Sequence, residues 1–188
     1  MHMSRGVAAA IGAVALAAVV TTAGPATAAT RTTESGPGWH WVHEAWQPAP
    51  QQDLVLPAAR YCGSFDLRAT AVSQDVRSKV LSRWDNGTPK DTYYAGPLIE
   101  KMTNVTTGRS KDYDMGGDAL ESDTSAGALR TYQTFGPVGV AMPIGESKGL
   151  PSGDYVLDGY HLIQFNADGT RDVKVALGPA LDVCAELG

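Results

Sequence analysis

Gly145-Glu146-Ser147-Lys148-Gly149 matches G-x-S-x-G, the sharp turn that lifts a nucleophilic serine toward a histidine and an oxyanion hole. That chemistry needs a helix directly after the serine, and Leu150-Pro151-Ser152-Gly153 does not start one. Between residues 61 and 188 the one histidine is His161, inside a run that reads as strand. A surface loop explains the same residues. His40, His43 and Glu44 would share one face of a helical turn and could reach a divalent ion. Zinc needs three or four ligands and a supporting shell, which these residues alone do not supply. No metal and no cofactor is expected.

A third candidate is acidic. Asp112, Asp114, Asp118, Glu121 and Asp123 surround Gly116-Gly117. Counted from Asp112, acids fall at the first, third, seventh and twelfth positions with Gly117 at the sixth, half of an EF-hand pattern. Gly116 at the fifth position, the shorter Asp123 at the twelfth and the lack of flanking helices break it. A solvated acidic loop and a calcium loop of another geometry both remain open. Paired carboxylates for hydrolysis are defined by separation in space, so acids scattered through a sequence carry no argument for them.

The densest aromatic run is Trp39-His40-Trp41-Val42-His43-Glu44-Ala45-Trp46, with three of the four tryptophans. Amphipathic aromatics suit binding surfaces, which makes Trp39, Trp41 and Trp46 the candidate ligand contacts. The run also suits a segment docked on the rest of the chain. It is flanked by turn-rich polar stretches, so 29–60 reads as a linker with a Trp-rich docking segment.

Positioning any such site falls to the span between Cys62 and Cys184, the only two cysteines. In an oxidising compartment these pair by default and bracket a domain over 61–188. In the chain-entropy model, closing so long a loop is worth roughly 4–5 kcal/mol. Within the bracket, Phe65, Leu67, Ala69 and Ala71 alternate with polar residues, the period of a half-buried strand. Residues 75–84 fit helix or strand, and Asn86-Gly87 favours strand because it is a hairpin turn. Further strands are predicted over 98–105, 111–115, 129–135, 138–142, 155–165 and 170–177, with loops over 118–127 and 145–153. Roughly eight short strands predict an all-β fold, a single antiparallel β-sandwich or small β-barrel.

At the N-terminus, Arg5 precedes an uncharged fourteen-residue run over 7–20, and Ala26-Thr27-Ala28 follows. The run is too short to span a bilayer and has the layout of a signal peptide over 1–28. Removing it takes away Arg5 and no acid, which moves the net charge from −5 to −6 over the remaining 160 residues. A mildly acidic chain without a basic block has no electrostatic footprint for nucleic acid, and no later run is apolar enough for a membrane anchor.

Cys62, the run Thr103-Asn104-Val105-Thr106-Thr107-Gly108, the Gly-rich loop at Gly153 and Cys184 together resemble a set of small secreted actinobacterial β-domain proteins, mostly uncharacterised. The resemblance covers about 120 residues and rests on turn and disulfide features. It implies an exported, extracellular β-domain and carries no catalytic residue. The expected function is therefore non-catalytic binding of an extracellular protein, a glycan or a small ligand. A secreted hydrolase with a dispersed carboxylate site and a lipocalin-like small-ligand carrier are the alternatives.

Overall fold

A computed structural model describes residues 37–188. The expected signal peptide, 1–28, lies outside the described residues, as does the start of the expected linker. Its described part, residues 37–60, is ordered against the chain that follows. It forms three short strands, β1 (Trp39–Trp41), β2 (Gln47–Pro48) and β3 (Leu54–Leu56), and one 3-10 turn (Ala58–Arg60). These are followed by β4 (Leu67–Gln74) and β5 (Arg77–Trp84), and β1 and β2 both pair antiparallel with β5 while β3 pairs with β4. The polar, proline-rich composition fits edge strands, where an unpaired proline nitrogen costs no ladder bond.

The ambiguous segment 75–84 is strand, and it turns at Gly87 (φ 87°) into β6 (Pro89–Ala95). The chain continues through β7 (Leu98–Asn104), β8 (Ser110–Asp114), β9 (Asp118–Asp123), β10 (Leu129–Phe135), β11 (Val138–Met142), β12 (Ser147–Lys148), β13 (Gly153–Leu157), β14 (Tyr160–Phe165), β15 (Arg171–Leu177) and β16 (Ala180–Asp182), ending in α1 (Val183–Leu187). The all-β class holds. The finer expectation, one sandwich or small barrel of roughly eight strands, is not confirmed: the described residues hold sixteen strands in three sheets, and none of these closes into a barrel.

The doubling has a local cause. Several long strands bend in the middle and change sheet, at Asp75-Val76, Gly96-Pro97, Gly116-Gly117, Gly136-Pro137, Asp158-Gly159 and Gly178-Pro179. On one side of the bends lies the nine-stranded sheet, ordered β1-β5-β6-β9-β10-β14-β15-β12 with β2 also on β5. On the other side the strands fork into β3-β4-β7-β8 and β11-β13-β16. Backbone hydrogen bonds run along the bends: Asp75 N to Pro97 O, 3.0 Å; Gly117 N to Pro137 O, 2.7 Å; Gly136 N to Gly159 O and Asp158 N to Pro179 O, both 2.9 Å. The approach is close enough to require glycine, because a Cβ on Gly178 (φ 140°) would lie 2.0 Å from Asp158 O.

There are two apolar cores, the first beyond the bends and the second reaching back to β14 of the nine-stranded sheet. Phe65, Leu67, Leu98, Met102, Tyr113, Val156, Val183 and Leu187 form the first, and Val140, Met142, Tyr155, Leu157 and Ile163 the second. The Cys62–Cys184 disulfide is formed, with an S–S distance of 1.98 Å, and ties α1 to the chain just before β4. Asn104 reinforces that tie. Its buried amide donates to Leu187 O at 3.0 Å, and its Oδ1 accepts from the Thr106 and Thr107 backbone at 2.9 and 3.1 Å. The Thr-Asn turn and the C-terminal cysteine, unconnected in sequence, thus act on the same helix. Among the described residues, no helix is long and apolar enough to cross a membrane.

Candidate functional site

A cavity of about 360 Å³ is lined by all three sheets. Exposed Gln51 and Leu54 lie at its rim, and buried Leu98, Met102, Met115, Ala119 and Val138 deeper inside. Each sheet contributes one carboxyl to the wall: Glu121 from β9, Glu100 from β7 and Asp154 from β13. Tyr94 and Tyr132 complete the polar lining, with Tyr132 directly across the β9–β10 pair from Glu121. Among the described residues, no Lys, Arg or His lines this cavity. Arg171 stands in an adjoining depression of about 190 Å³ that shares Glu121 and Tyr132; its guanidinium donates to Ala141 O and lies over the Phe165 ring.

Strand periodicity explains the placement. Leu98, Glu100 and Met102 are alternate residues of β7, so the alternation that buries Leu98 and Met102 also turns Glu100 inward. Ala119 and Glu121 stand in the same relation on β9. The next residue, Ser122, donates on the other side to Asp91, at 2.6 Å. Asp154 lies in a strand buried over its whole length.

Burial dominates the electrostatics. It pushes the Asp154 carboxyl up to about 7, with Glu100 and Asp182 reinforcing. Burial also raises Glu100, with Asp53 adding to it. Glu121 is raised by burial against an opposing hydrogen bond from Tyr94, with Asp123 reinforcing. Both tyrosine hydroxyls are held above their ordinary value, first by burial and then by Glu121. Asp154 is 3% exposed, and its Oδ2 has no hydrogen-bond partner. A buried polar atom left unsatisfied costs free energy, so this oxygen is a reserve of unused binding capacity.

The candidates read from sequence lie elsewhere. Trp39 and Trp41 share a face of β1, edge to face at 5.3 Å, and Lys90 sits 4.4 Å over the Trp39 ring. Trp46 meets Tyr93 at 6.1 Å on the face of β6 opposite Tyr94. All three are partly exposed, Trp41 most at 65%. His40 makes one long contact with Asp85, 3.4 Å, and Glu44 forks onto Arg83 at 2.6 and 3.1 Å, so the face that His40, His43 and Glu44 would share in a helical turn is not formed. Ser147 begins the short β12, and its hydroxyl donates to Pro143 O at 2.7 Å. Residues 118–123, expected as loop, are β9, paired on both edges. Its acids therefore point to opposite faces and do not wrap an ion. Among the described residues no group of three His, Cys, Asp or Glu could hold a metal.

The comparisons add no relative. No family model, curated protein or solved structure matches the chain. The sequence reading missed Glu100 and Asp154, and it placed Glu121 in an acidic loop rather than in a strand facing a cavity. For Glu100 a signal was present, an acid in phase with the apolar face of Leu98 and Met102.

Proposed function

We propose that this chain is an exported, non-catalytic binding domain that holds a small ligand in the cavity between its sheets. The observation that carries the reading is the cavity itself, deep enough to bury Asp154 and lined by apolar side chains with a few convergent polar groups. Its volume corresponds to roughly a dozen waters at about 30 Å³ each, which suits a metabolite rather than a polymer. The disulfide supports an oxidising compartment.

Hydrolysis is the weaker reading. A glycosidase pair needs one carboxyl held protonated and another held ionised. Burial pushes Glu100, Glu121 and Asp154 in the same direction, and none is held low. A surface reading for glycan or protein rests on Trp41, which is too exposed to be explained by packing alone.

Thermal unfolding of the disulfide-intact protein against a panel of amines, sugars, carboxylates and fatty acids tests the proposal. A ligand at a hundred times its Kd adds about 2.7 kcal/mol, which raises Tm by roughly 5–10 °C in a chain of this size. The shift should shrink or disappear in Ala119→Leu, which narrows the cavity. Turnover of chromogenic glycosides that is lost in Asp154→Asn would replace binding with hydrolysis.

A further inference from the structure

We infer that the cavity ligand is a small aliphatic amine, its ammonium group seated at the unpartnered Oδ2 of Asp154 and its methylene chain running past Met102 and Ala119 toward Glu121. This rests on the cavity being a ligand site. Asp154 is buried, lines the cavity, and leaves one carboxyl oxygen unsatisfied, so the wall lacks a donor at a defined point. The charges acting on it, from Glu100 and Asp182, are both negative. An ammonium group at Oδ2 would favour the ionised carboxylate over the protonated form that burial favours, so it takes the place of that proton and supplies the donor in one group.

The spread of the acids narrows the class. They do not gather tightly enough for a metal ion, and each comes from a different sheet. Apolar residues separate them, with Leu98 and Met102 flanking Glu100 and Ala119 two residues from Glu121. Charges spaced by hydrocarbon on the wall complement charges spaced by hydrocarbon on the ligand. Tyr94 and Tyr132 add ring faces that attract a cation. A neutral ligand would offer hydrogen bonds but no charge to favour the ionised carboxylates against burial.

Isothermal titration of the disulfide-intact protein with 1,5-diaminopentane and spermidine, set against neutral 1,5-pentanediol and glucose, tests the inference. The expected result is at least tenfold tighter binding of an amine than of the diol. Asp154→Asn should lose at least tenfold of the amine affinity while its far-ultraviolet circular dichroism stays that of the parent. Glu121→Gln, at a half-exposed position, provides the same comparison if the first variant does not fold. Diol or glucose binding as tightly as the amines, with Ala119→Leu abolishing it, would overturn the amine and leave the cavity reading standing. No binding by any of the four, together with no stabilisation by any member of the wider panel, would overturn both.

Discussion

Thr134 and His161 stand directly opposite each other on β10 and β14, both fully buried, and the threonine hydroxyl has no hydrogen-bond partner. Replacing an unpaired buried hydroxyl by a methyl group of the same shape removes a desolvation cost and no bond. Thr134→Val should therefore stabilise the protein by about 1 kcal/mol, a rise in Tm of roughly 2–4 °C, read by calorimetry. A fall would mean that the hydroxyl is satisfied in solution.

Asp154 gives stability a pH dependence of known sign. Its carboxyl keeps its proton up to about 7 in the folded chain, against an ordinary value of 3.8. Between those values the folded state holds a proton that the unfolded state has released, so this group's contribution is greatest below pH 4 and is lost as pH rises toward 7. At 1.36 kcal/mol per unit, the loss is on the order of 4 kcal/mol. Denaturant unfolding from pH 4 to pH 8 should show Asp154→Asn falling less steeply than the parent. Parallel curves would remove Asp154 as the source.

His161 acts in the opposite sense. Burial holds its imidazole below the ordinary 6.5, against the nearby Asp158 carboxylate. Its contribution is present above pH 6.5 and is lost as pH falls, because the unfolded chain takes up the proton first. His161→Gln should flatten the acid limb of the same unfolding series, while an unchanged limb would exclude it.

Asn104 joins the Thr106-Thr107 turn to the last residues of α1 with three hydrogen bonds, from a position 2% exposed. Asn104→Ala leaves several buried groups unpaired and should cost about 3 kcal/mol, or roughly 6–12 °C in Tm. Limited proteolysis should then cut near the C-terminus first. A loss below about 1 kcal/mol would show that water replaces the side chain.

Ala119 lies on the cavity wall, 3% exposed. A larger side chain in a filled core costs about 1–3 kcal/mol, whereas one entering an open cavity does not. Ala119→Leu should match or exceed the parent in Tm and lose the ligand-induced shift. A drop of several degrees would mean that leucine has no room there.

Much of the scaffold was legible in the sequence. The alternation of Phe65, Leu67, Ala69 and Ala71 marked β4 to within three residues, and Asn86-Gly87 turned the ambiguous segment into β5. The cysteine pair needed only its uniqueness. The β9 strand was not legible, because Asp118-Ala119-Leu120-Glu121-Ser122-Asp123 has a loop's composition and is held as strand by two neighbours far away in sequence. The first three strands were hidden for the same reason. Little of the candidate site could be read, since its carboxyls come from three sheets whose packing no local pattern encodes. The tryptophans drew attention by their density, and they pack beside β5 and β6 without lining the cavity.

The bent strands have a consequence for how the molecule comes apart. Because β6 and β7, β8 and β9, β10 and β11, β13 and β14, and β15 and β16 are each one length of chain crossing a sheet boundary, neither arm of the fork can peel away and leave the large sheet intact. The bends act like rivets through overlapping plates. The slowest amide protons on both sides of Gly117 should exchange with a common free energy, as a single cooperative unit. A ligand wedged between the plates would then tighten the whole molecule at once, not only the residues it touches.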